Sequence, residues 1–143
     1  MAEHATQAVS GRGAQLKRGG LLSTDPYVNL HEVISFDAPN DSADEIEVTH
    51  LESPGGRKEY IAGMIDSGEA TATLNWRPDV YAEQALLRSD AADRALRYWQ
   101  FVLPSSMETI TFRAFVKGMK PEVTANGALL MAVTFRVSTS TVT

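Results

Sequence analysis

The sequence from Glu45 to Trp76, EIEVTHLESPGGRKEYIAGMIDSGEATATLNW, decides the predicted fold. At its start Ile46 and Val48 alternate with polar residues, which is the period-two pattern of a half-buried β-strand. At its end apolar residues occupy every second position from Ala70, which predicts a second strand with one polar face. About eighteen residues separate the two strands, whereas a hairpin connection normally has about two to five. We therefore predict a strand, a long loop and a second strand.

The long loop is too apolar to be an ordinary solvated connection. Pro54, Gly55 and Gly56 provide a turn within it, and we expect the two glycines to set its path because glycine adopts a positive φ without strain. Large apolar side chains in a projecting loop have no core of their own, so we predict that they contact another molecule. These side chains belong to Leu51, Tyr60, Ile61, Met64 and Ile65.

The rest of the chain alternates in the same way, with one exception. Further strands are predicted over residues 27–36, 96–103, 109–117 and 128–138. Arg77-Pro78-Asp79 opens a predicted helix that runs to about Arg88. We predict a mainly β fold, an antiparallel sandwich or barrel of about six strands with one flanking helix and a long strand–strand loop. Residues 27–143 form its single domain. The apolar faces are assigned to Val28, Leu30, Ile34 and Phe36 in the first strand and to Val80, Tyr81, Ala85 and Leu87 in the helix.

Residues 1–26 are rich in glycine and small polar residues. Taken alone they predict a flexible tail. The alternative is an extended N-terminal arm that neighbouring subunits hold in place. Arg12, Lys17 and Arg18 are basic groups on an acidic protein, so we predict that they dock this arm on an adjacent subunit.

Composition excludes several classes of protein. The formal net charge of −5 disfavours a basic nucleic-acid binder. Because the chain has no cysteine, it has no disulfides, thiolate metal sites or thiol nucleophiles. No apolar run approaches the roughly twenty residues that cross a bilayer, so membrane insertion is not expected.

Catalytic and metal-binding patterns are also missing from the sequence. His4, His31 and His50 lie far apart, without the spacing of metal ligands, and GxSxG is absent. The acidic residues between Asp37 and Glu45 lack the glycine and the distal glutamate of a calcium loop. We therefore expect no enzymatic activity, no metal and no cofactor.

Four stretches resemble the lambda-like major tail tube family of long-tailed bacteriophages. They are Val48–Ser53, Gly55–Asp66, Gly68-Glu69 and Thr111–Pro121, and the resemblance extends over about Tyr27–Ser138. The family typically shows VTHLxS followed by GGxxEFIxGLxDxGE. The chain differs at Ala114, where many relatives have glycine, and it ends without the immunoglobulin-like domain of some members.

The resemblance implies a structural virion protein. Its subunits would form homohexameric rings that stack helically into the hollow tail through which phage DNA is delivered. The implied partners are other copies of the chain, the tape measure protein in the lumen before ejection, and the tail terminator and baseplate or distal tail proteins at the ends. DNA would pass without sequence-specific binding. The protein would be assembled in the cytoplasm of the bacterial host and would reside in the virion tail.

Two sets of residues follow for such a tube. The long loop would reach a neighbouring ring, and a polar strand face would line the lumen. The predicted inter-ring contacts are Leu51, Gly55, Gly56, Arg57, Tyr60, Ile61, Met64 and Ile65. The predicted lumen-lining residues are Glu47, Thr49, Thr71, Thr73 and Asn75.

Two alternatives remain open. The first is a tube protein of a contractile injection or type VI secretion system, which shares the fold. The second is a small β-barrel binding module or enzyme that remains a monomer.

Overall fold

The computed structural model describes residues 5–143, and within them the chain forms nine β-strands and one α-helix. Two short 3-10 turns, Pro54–Gly56 and Pro104–Ser106, interrupt the connections. The elements are β1 (Gln15–Arg18), β2 (Val28–Leu30), β3 (Val33–Asp37), β4 (Ser42–Glu47), β5 (Tyr60–Asp66), β6 (Glu69–Asn75), α1 (Ala82–Asp93), β7 (Arg97–Val102), β8 (Thr109–Glu122) and β9 (Leu130–Val142).

Seven strands form one antiparallel sheet that rolls up on itself. Their order is β2-β1-β7-β8-β9-β6-β3, so β2 and β3 lie at opposite edges although only His31 and Glu32 connect them. Such a connection spans roughly 10 Å at most, so the two edges must meet at this point. Phe36 on β3 lies with its ring centroid 4.5 Å from that of Phe101 on β7, although three strands separate the two in the sheet. The predicted mainly β, antiparallel fold is confirmed.

The core lies on the concave side of this sheet. The apolar face predicted for β6 is confirmed, because every second residue from Ala70 to Trp76 is buried. The small residues Ala72 and Ala114 leave room for large rings, and Trp99 donates a hydrogen bond from Nε1 to the Ala114 carbonyl at 3.2 Å. The buried apolar residues are Leu16, Leu30, Ala70, Ala72, Leu74, Trp76, Leu87, Trp99, Phe112, Ala114, Val116, Met131, Val133, Phe135 and Val137.

The helix begins and ends later than the sequence predicted. Residues 78–80 form a turn before the helix, and the Gln84 side chain holds the segment by accepting the Arg77 N–H and donating to the carbonyl of Asn75 at 2.9 Å. The chain leaves the helix at Arg94, which has a φ of 54°. The predicted apolar stripe is mostly wrong, since only Leu87 of its four members is buried. The buried face is completed by two polar residues, Gln84 and Asp90, whose partners a pattern of apolar residues does not reveal.

The predicted N-terminal arm is shorter than residues 1–26. Gln15–Arg18 forms β1 between β2 and β7, where Leu16 is buried. Arg18 was predicted to contact another subunit, but it binds Asp90 of its own chain with two hydrogen bonds of 2.7 Å. Residues 5–14 have no strand or helix, and His4 lies outside the described residues.

The strand predicted over residues 27–36 is divided in two. Glu32 has a φ of 67°, which breaks the extended backbone between β2 and β3. A register shift between Val33 and Ser35 then changes the alternation. Ile34, predicted to face the core with Leu30, is therefore exposed, and Val28 at the start of β2 is exposed as well.

The long loop contains a strand that the sequence did not predict. Tyr60–Asp66 forms β5 and pairs antiparallel with β4, and the two make a separate two-stranded sheet. The first strand of the opening segment therefore pairs within the loop, and not with β6. The predicted eighteen-residue loop therefore contains the tip and the second strand, β5, of a hairpin whose first strand is β4.

The buried Asp90 carboxylate gives a prediction about stability. It also faces Arg97, whose Nε lies 2.9 Å from Oδ1 but without the geometry of a hydrogen bond. Replacing Asp90 with alanine leaves two guanidinium groups without their counter-ion. We expect the free energy of unfolding in urea to fall by about 3–5 kcal/mol. Asp93→Ala, an exposed position on the same helix, is the matched control, and equal losses for both variants would contradict this prediction.

Candidate assembly interface

The β4–β5 hairpin is the part of the structure that lacks its own core. All six residues of β4 are exposed, and Tyr60, Ile61, Met64 and Ile65 on β5 remain exposed as well. A two-stranded sheet alone is marginally stable in water, and three or more strands or a packing surface are needed. The hairpin therefore has apolar side chains that no other part of the described chain covers.

The base of the hairpin is nevertheless fixed to the rolled sheet. Arg136 on β9 donates to Asp66 at the end of β5 at 3.1 Å, and Ser140 on β9 donates to Asp41 before β4 at 2.9 Å. The N–H of Val137 donates to the carbonyl of Gly68 at 3.0 Å. These bonds hold the two ends of the hairpin, so its shaft and tip project from a defined origin.

The two faces of the hairpin differ in polarity. Ile46 lies directly opposite Ile61 on one face, and Glu47 lies opposite Tyr60 on the other. Tyr60 and Glu47 were predicted to serve an inter-ring contact and the lumen, respectively. Because cross-strand partners share a face, the structure brings these two residues together and separates Tyr60 from Ile61.

Gly63 shapes the isoleucine face. A Cβ at this position would lie 3.2 Å from Cδ1 of Ile46 and 3.2 Å from Cβ of Asp44. The absent side chain therefore lets Ile46 lie across β5. A register shift next to Gly63 changes the alternation, so the faces of Met64 and Ile65 could not be read from sequence spacing.

The tip of the hairpin, residues 48–59, is held by polar bonds. Ser53 Oγ donates to Glu59 Oε2 at 2.6 Å, and the N–H of His50 donates to Ser53 Oγ at 2.9 Å. Nδ1 of His50 accepts the Glu52 N–H at 3.1 Å, and Thr49 Oγ1 accepts the Glu59 N–H at 2.8 Å. No pattern in the sequence predicts this network, although its residue types are visible there.

The glycines of the tip have the conformation that the sequence predicted. Gly55 and Gly56 have φ values of 64° and 65°, which residues with a Cβ rarely adopt. They close the 3-10 turn, after which Arg57 donates its N–H to the carbonyl of Pro54 at 3.3 Å. Leu51 is fully exposed at the apex, with a relative accessibility of 106%.

The predicted lumen-lining residues fall into two groups. Thr71, Thr73 and Asn75 form a half-exposed row on the convex face of β6. Their neighbours come from β3 and β9, with Thr134 opposite Thr71. Glu47 and Thr49 were expected beside this row, but they belong to the hairpin, because β4 pairs with β5 and not with β6.

Ion pairs flank the polar row at one end. The N–H of Gly68 and then the guanidinium of Arg136 lower the pKa of Asp66, and a hydrogen bond from Lys117 lowers the pKa of Glu69. A carboxylate whose pKa is lowered in the folded chain stabilises the fold at pH values above its ordinary pKa. This stabilisation is lost as the pH falls through the lowered pKa. The side chains of both pairs are exposed, so these ion pairs orient side chains more than they stabilise the fold.

Arg12 and Lys17, the other two basic residues predicted to dock the N-terminal arm, lie near the start of the described chain. Lys17 is on β1, opposite Asn29 and Gln100, and Arg12 lies in the turn that precedes that strand. Arg12 also borders a cleft between β1 and β3 whose apolar lining includes Phe36 and Phe101. Arg12 is exposed and Lys17 is half-buried.

The tip contains serine, histidine and glutamate, but the serine and the histidine side chain are not hydrogen-bonded to each other. Ser53 Oγ donates to the Glu59 carboxylate, and Nδ1 of His50 accepts a backbone N–H. Among the described residues no cluster of three or more histidine, aspartate or glutamate side chains could hold a metal ion. Within residues 5–143 no helix has the length and apolarity to cross a membrane.

Comparisons with known proteins identify the fold. It is similar to the tail of the empty gene transfer agent particle, computed with C6 symmetry, with a TM-score of 0.76, 16% identity and coverage of 95% of this chain and 98% of that chain. The sheath–tube complex of the contractile injection system PVC gives a TM-score of 0.70 at 13% identity, and the match covers 96% of this chain and 92% of that chain. The SPP1 tail tube gives a TM-score of 0.68 at 10% identity, and the match covers 94% of this chain and 78% of that chain.

Sequence comparison identifies the family. Comparison with curated proteins gives no match. Residues 12–142 match the family described as lambda phage tail tube protein, TTP, and this range is most of the chain. The protein therefore belongs to the lambda phage tail tube protein family.

Proposed function

We propose that this protein is a major tail tube subunit that polymerises as stacked hexameric rings into the hollow tail through which phage DNA is delivered. The observation that carries the proposal is the exposed β4–β5 hairpin on a chain of the tail tube family. A repeated contact between two different surfaces of identical chains grows into a filament, and it does so without a second component. The hairpin supplies one of these surfaces.

The hairpin reaches a neighbouring ring in this proposal. Its apolar side chains, including Leu51, Ile61 and Met64, are exposed to solvent in the single chain. Burial of each large apolar side chain is worth roughly 1.5–3 kcal/mol, so a few of them are sufficient to hold one subunit on the next. The inter-ring contact also includes Tyr60 and Ile65.

The convex row of β6 lines the lumen in this proposal. Thr71, Thr73 and Asn75 are uncharged and polar, and the chain as a whole carries a formal charge of −5. Binding of DNA depends on neutralising phosphates with lysine and arginine. A polar lumen in an acidic tube therefore lets DNA pass without retaining it.

The proposed partners follow from the position of such a tube in a virion. The tape measure protein occupies the lumen before ejection, and terminator and baseplate or distal tail proteins close the ends. The subunit is a structural protein without catalytic activity, assembled in the host cytoplasm and carried in the virion tail.

The similarity to the PVC sheath–tube complex favours a second candidate, the tube of a contractile injection system. Such a tube binds a sheath, whereas the tube of a siphophage does not. Co-expression with a cognate sheath protein distinguishes the two by co-sedimentation. A chain that remains monomeric at high concentration would instead be a small binding module.

Removing apolar groups from the hairpin tests the proposal. We expect Tyr60→Ala combined with Ile61→Ala to abolish polymerisation, because the loss of each anchor removes roughly 1.5–3 kcal/mol from every contact. Circular dichroism should match that of the wild type, since neither residue belongs to the core. Sedimentation and negative-stain microscopy measure the assembly.

The helix and the turn before it provide a matched control for this variant. Val80 in the turn and Leu86 in the helix are exposed to 58% and 45%, close to the 52% and 53% of Tyr60 and Ile61. Val80→Ala combined with Leu86→Ala should leave tubes intact, because the helix lies on the outer surface of the proposed tube. Normal tubes from the Tyr60 and Ile61 variant would contradict the role of the hairpin.

A charge change tests the lumen assignment. We expect Thr71→Lys combined with Thr73→Lys to leave assembly intact and to slow DNA ejection, because each lysine adds a phosphate contact. The corresponding glutamine variant is the control for side-chain size. Since the chain has no cysteine, Thr73→Cys can be labelled alone. Reaction of that thiol with a bulky reagent outside intact tubes would contradict the assignment.

Hydrogen exchange tests the N-terminal arm. Residues 5–14 form no strand or helix and bury little apolar surface, so we expect their amides to exchange freely in the monomer and to be protected in the tube. The amides of β1 should be protected in both states and serve as the internal control. Protection of residues 5–14 in the monomer would show that the arm does not depend on assembly.

A further inference from the structure

We propose that Asn126 is a site of spontaneous deamidation, at which the chain converts this amide side chain into a mixture of aspartate and isoaspartate. The site lies in the turn that joins β8 to β9, residues 123–129. It belongs neither to the β4–β5 hairpin nor to the polar row of β6. Its chemistry is that of one exposed turn, so it is independent of the proposed function.

The structure protects two of the four asparagines in the chain from this reaction. Asn29 lies within β2, where its Oδ1 is buried. Asn75 lies at the end of β6, and its amide donates to Glu32 Oε2 at 2.8 Å. The backbone nitrogen that follows Asn75 is that of Trp76, which donates its N–H to a carbonyl of the β8–β9 turn at 2.9 Å. That nitrogen is therefore not free to attack the asparagine side chain.

Asn40 is the closest comparison with Asn126, because both residues are exposed in connections between strands. The residue after Asn40 is Asp41, whose side chain crowds the backbone nitrogen and whose negative charge opposes loss of its proton. The residue after Asn126 is Gly127, which has no side chain and can adopt more backbone conformations. Among the asparagines, only Asn126 combines exposure with an unhindered nitrogen after it.

The turn holds this nitrogen weakly. The Gly127 N–H donates to the Thr124 carbonyl at 3.4 Å, which is longer than an ordinary N–H···O hydrogen bond. A Cβ at position 127 would collide with Oγ1 of Thr124, so the turn in this form requires glycine. Residues 121–129 are all exposed, so water and solvent bases reach the peptide bond between Asn126 and Gly127.

The reaction needs only solvent water. The Gly127 nitrogen gives its proton to a solvent base and attacks Cγ of Asn126, which forms the N–Cγ bond of a cyclic succinimide. The Cγ–Nδ2 bond breaks, and Nδ2 takes a proton from solvent and leaves as ammonia. Water then opens the ring. Cleavage of the new N–Cγ bond gives aspartate, whereas cleavage of the bond between this nitrogen and the main-chain carbonyl carbon of Asn126 gives isoaspartate.

The two products change the charge and the length of the turn. Either product makes the chain one unit more negative than its formal charge of −5. Isoaspartate also passes the main chain through the former side chain, which adds one carbon to the turn. We expect the strands on either side to keep their register, because Met131, opposite Pro121, and Val133 are buried in the core.

Timed incubation of the full chain tests the site. The folded protein is kept in mildly alkaline buffer, and peptide mapping by mass spectrometry measures conversion at Asn126 and at Asn40, the internal control. A parallel sample is unfolded in urea. The variants are Asn126→Gln, Thr124→Ala, and Thr124→Ala combined with Gly127→Ala. Thr124→Ala removes the hydroxyl that a Cβ at position 127 would meet, so the combined variant tests the glycine without that collision.

We expect the folded chain to convert Asn126 at least roughly tenfold faster than Asn40, which corresponds to a barrier lower by about 1.4 kcal/mol. The rate should rise in proportion to the hydroxide concentration, because the deprotonated nitrogen is the nucleophile. Thr124→Ala should react at least as fast as the wild type, and the combined variant should react more slowly. Isoelectric focusing should show a more acidic species that accumulates in the wild type and not in Asn126→Gln.

Three results would overturn the proposal. The first is conversion of Asn126 in urea but not in the folded chain, which would show that the folded turn prevents the attack. The second is an equal rate at Asn126 and Asn40, and the third is an equal rate in Thr124→Ala and the combined variant. The measurement is made on free subunits, so none of these results depends on whether the chain polymerises.

Discussion

The buried carboxylate of Asp90 is the contact on which the arrangement of the subunit depends. Arg18 binds it with both ends of its guanidinium group, and Arg97 lies against it from the neighbouring strand. Because Asp90 is on the helix, this cluster fixes the helix on the concave side of the sheet and holds β1 and β7 beneath it. Buried charges are costly unless they are paired, so once formed the cluster permits few other arrangements.

The rolled sheet explains why the hairpin is left outside. Seven strands and the helix bury the apolar side chains of the core among themselves, and the short β2–β3 connection closes the rolled sheet. No strand of the main sheet pairs with β4 or β5 within the described residues. The rolled sheet therefore contains the core, whereas the hairpin leaves its apolar side chains exposed, as a surface for association in the proposed tube requires.

The sequence predicted the strands that alternate and missed those that do not. β6 and β9 have regular inward faces, so their cores could be assigned from spacing. β1 has one buried apolar residue, Leu16, and its other inward group is an arginine whose partner lies 72 residues away. The sequence predicted which apolar residues belong to the proposed interface, but not which face of the hairpin each one occupies. Only the cross-strand partners show that Tyr60 and Ile61 lie on opposite faces. Long-range pairing and polar networks leave no periodic signal in a single sequence.

The charges of the hairpin explain how a chain with an unpaired sheet can remain selective in its association. A free strand edge pairs readily with any other edge, which leads to aggregation. On β4 the exposed carboxylates of Asp44, Glu45 and Glu47 follow one another closely. Two hairpins that approached through their β4 edges would bring these like charges together, so that contact is disfavoured. In the proposed tube, association through the isoleucine face and through Leu51 avoids this repulsion, and the carboxylates of β4 then favour one repeated contact over disordered pairing.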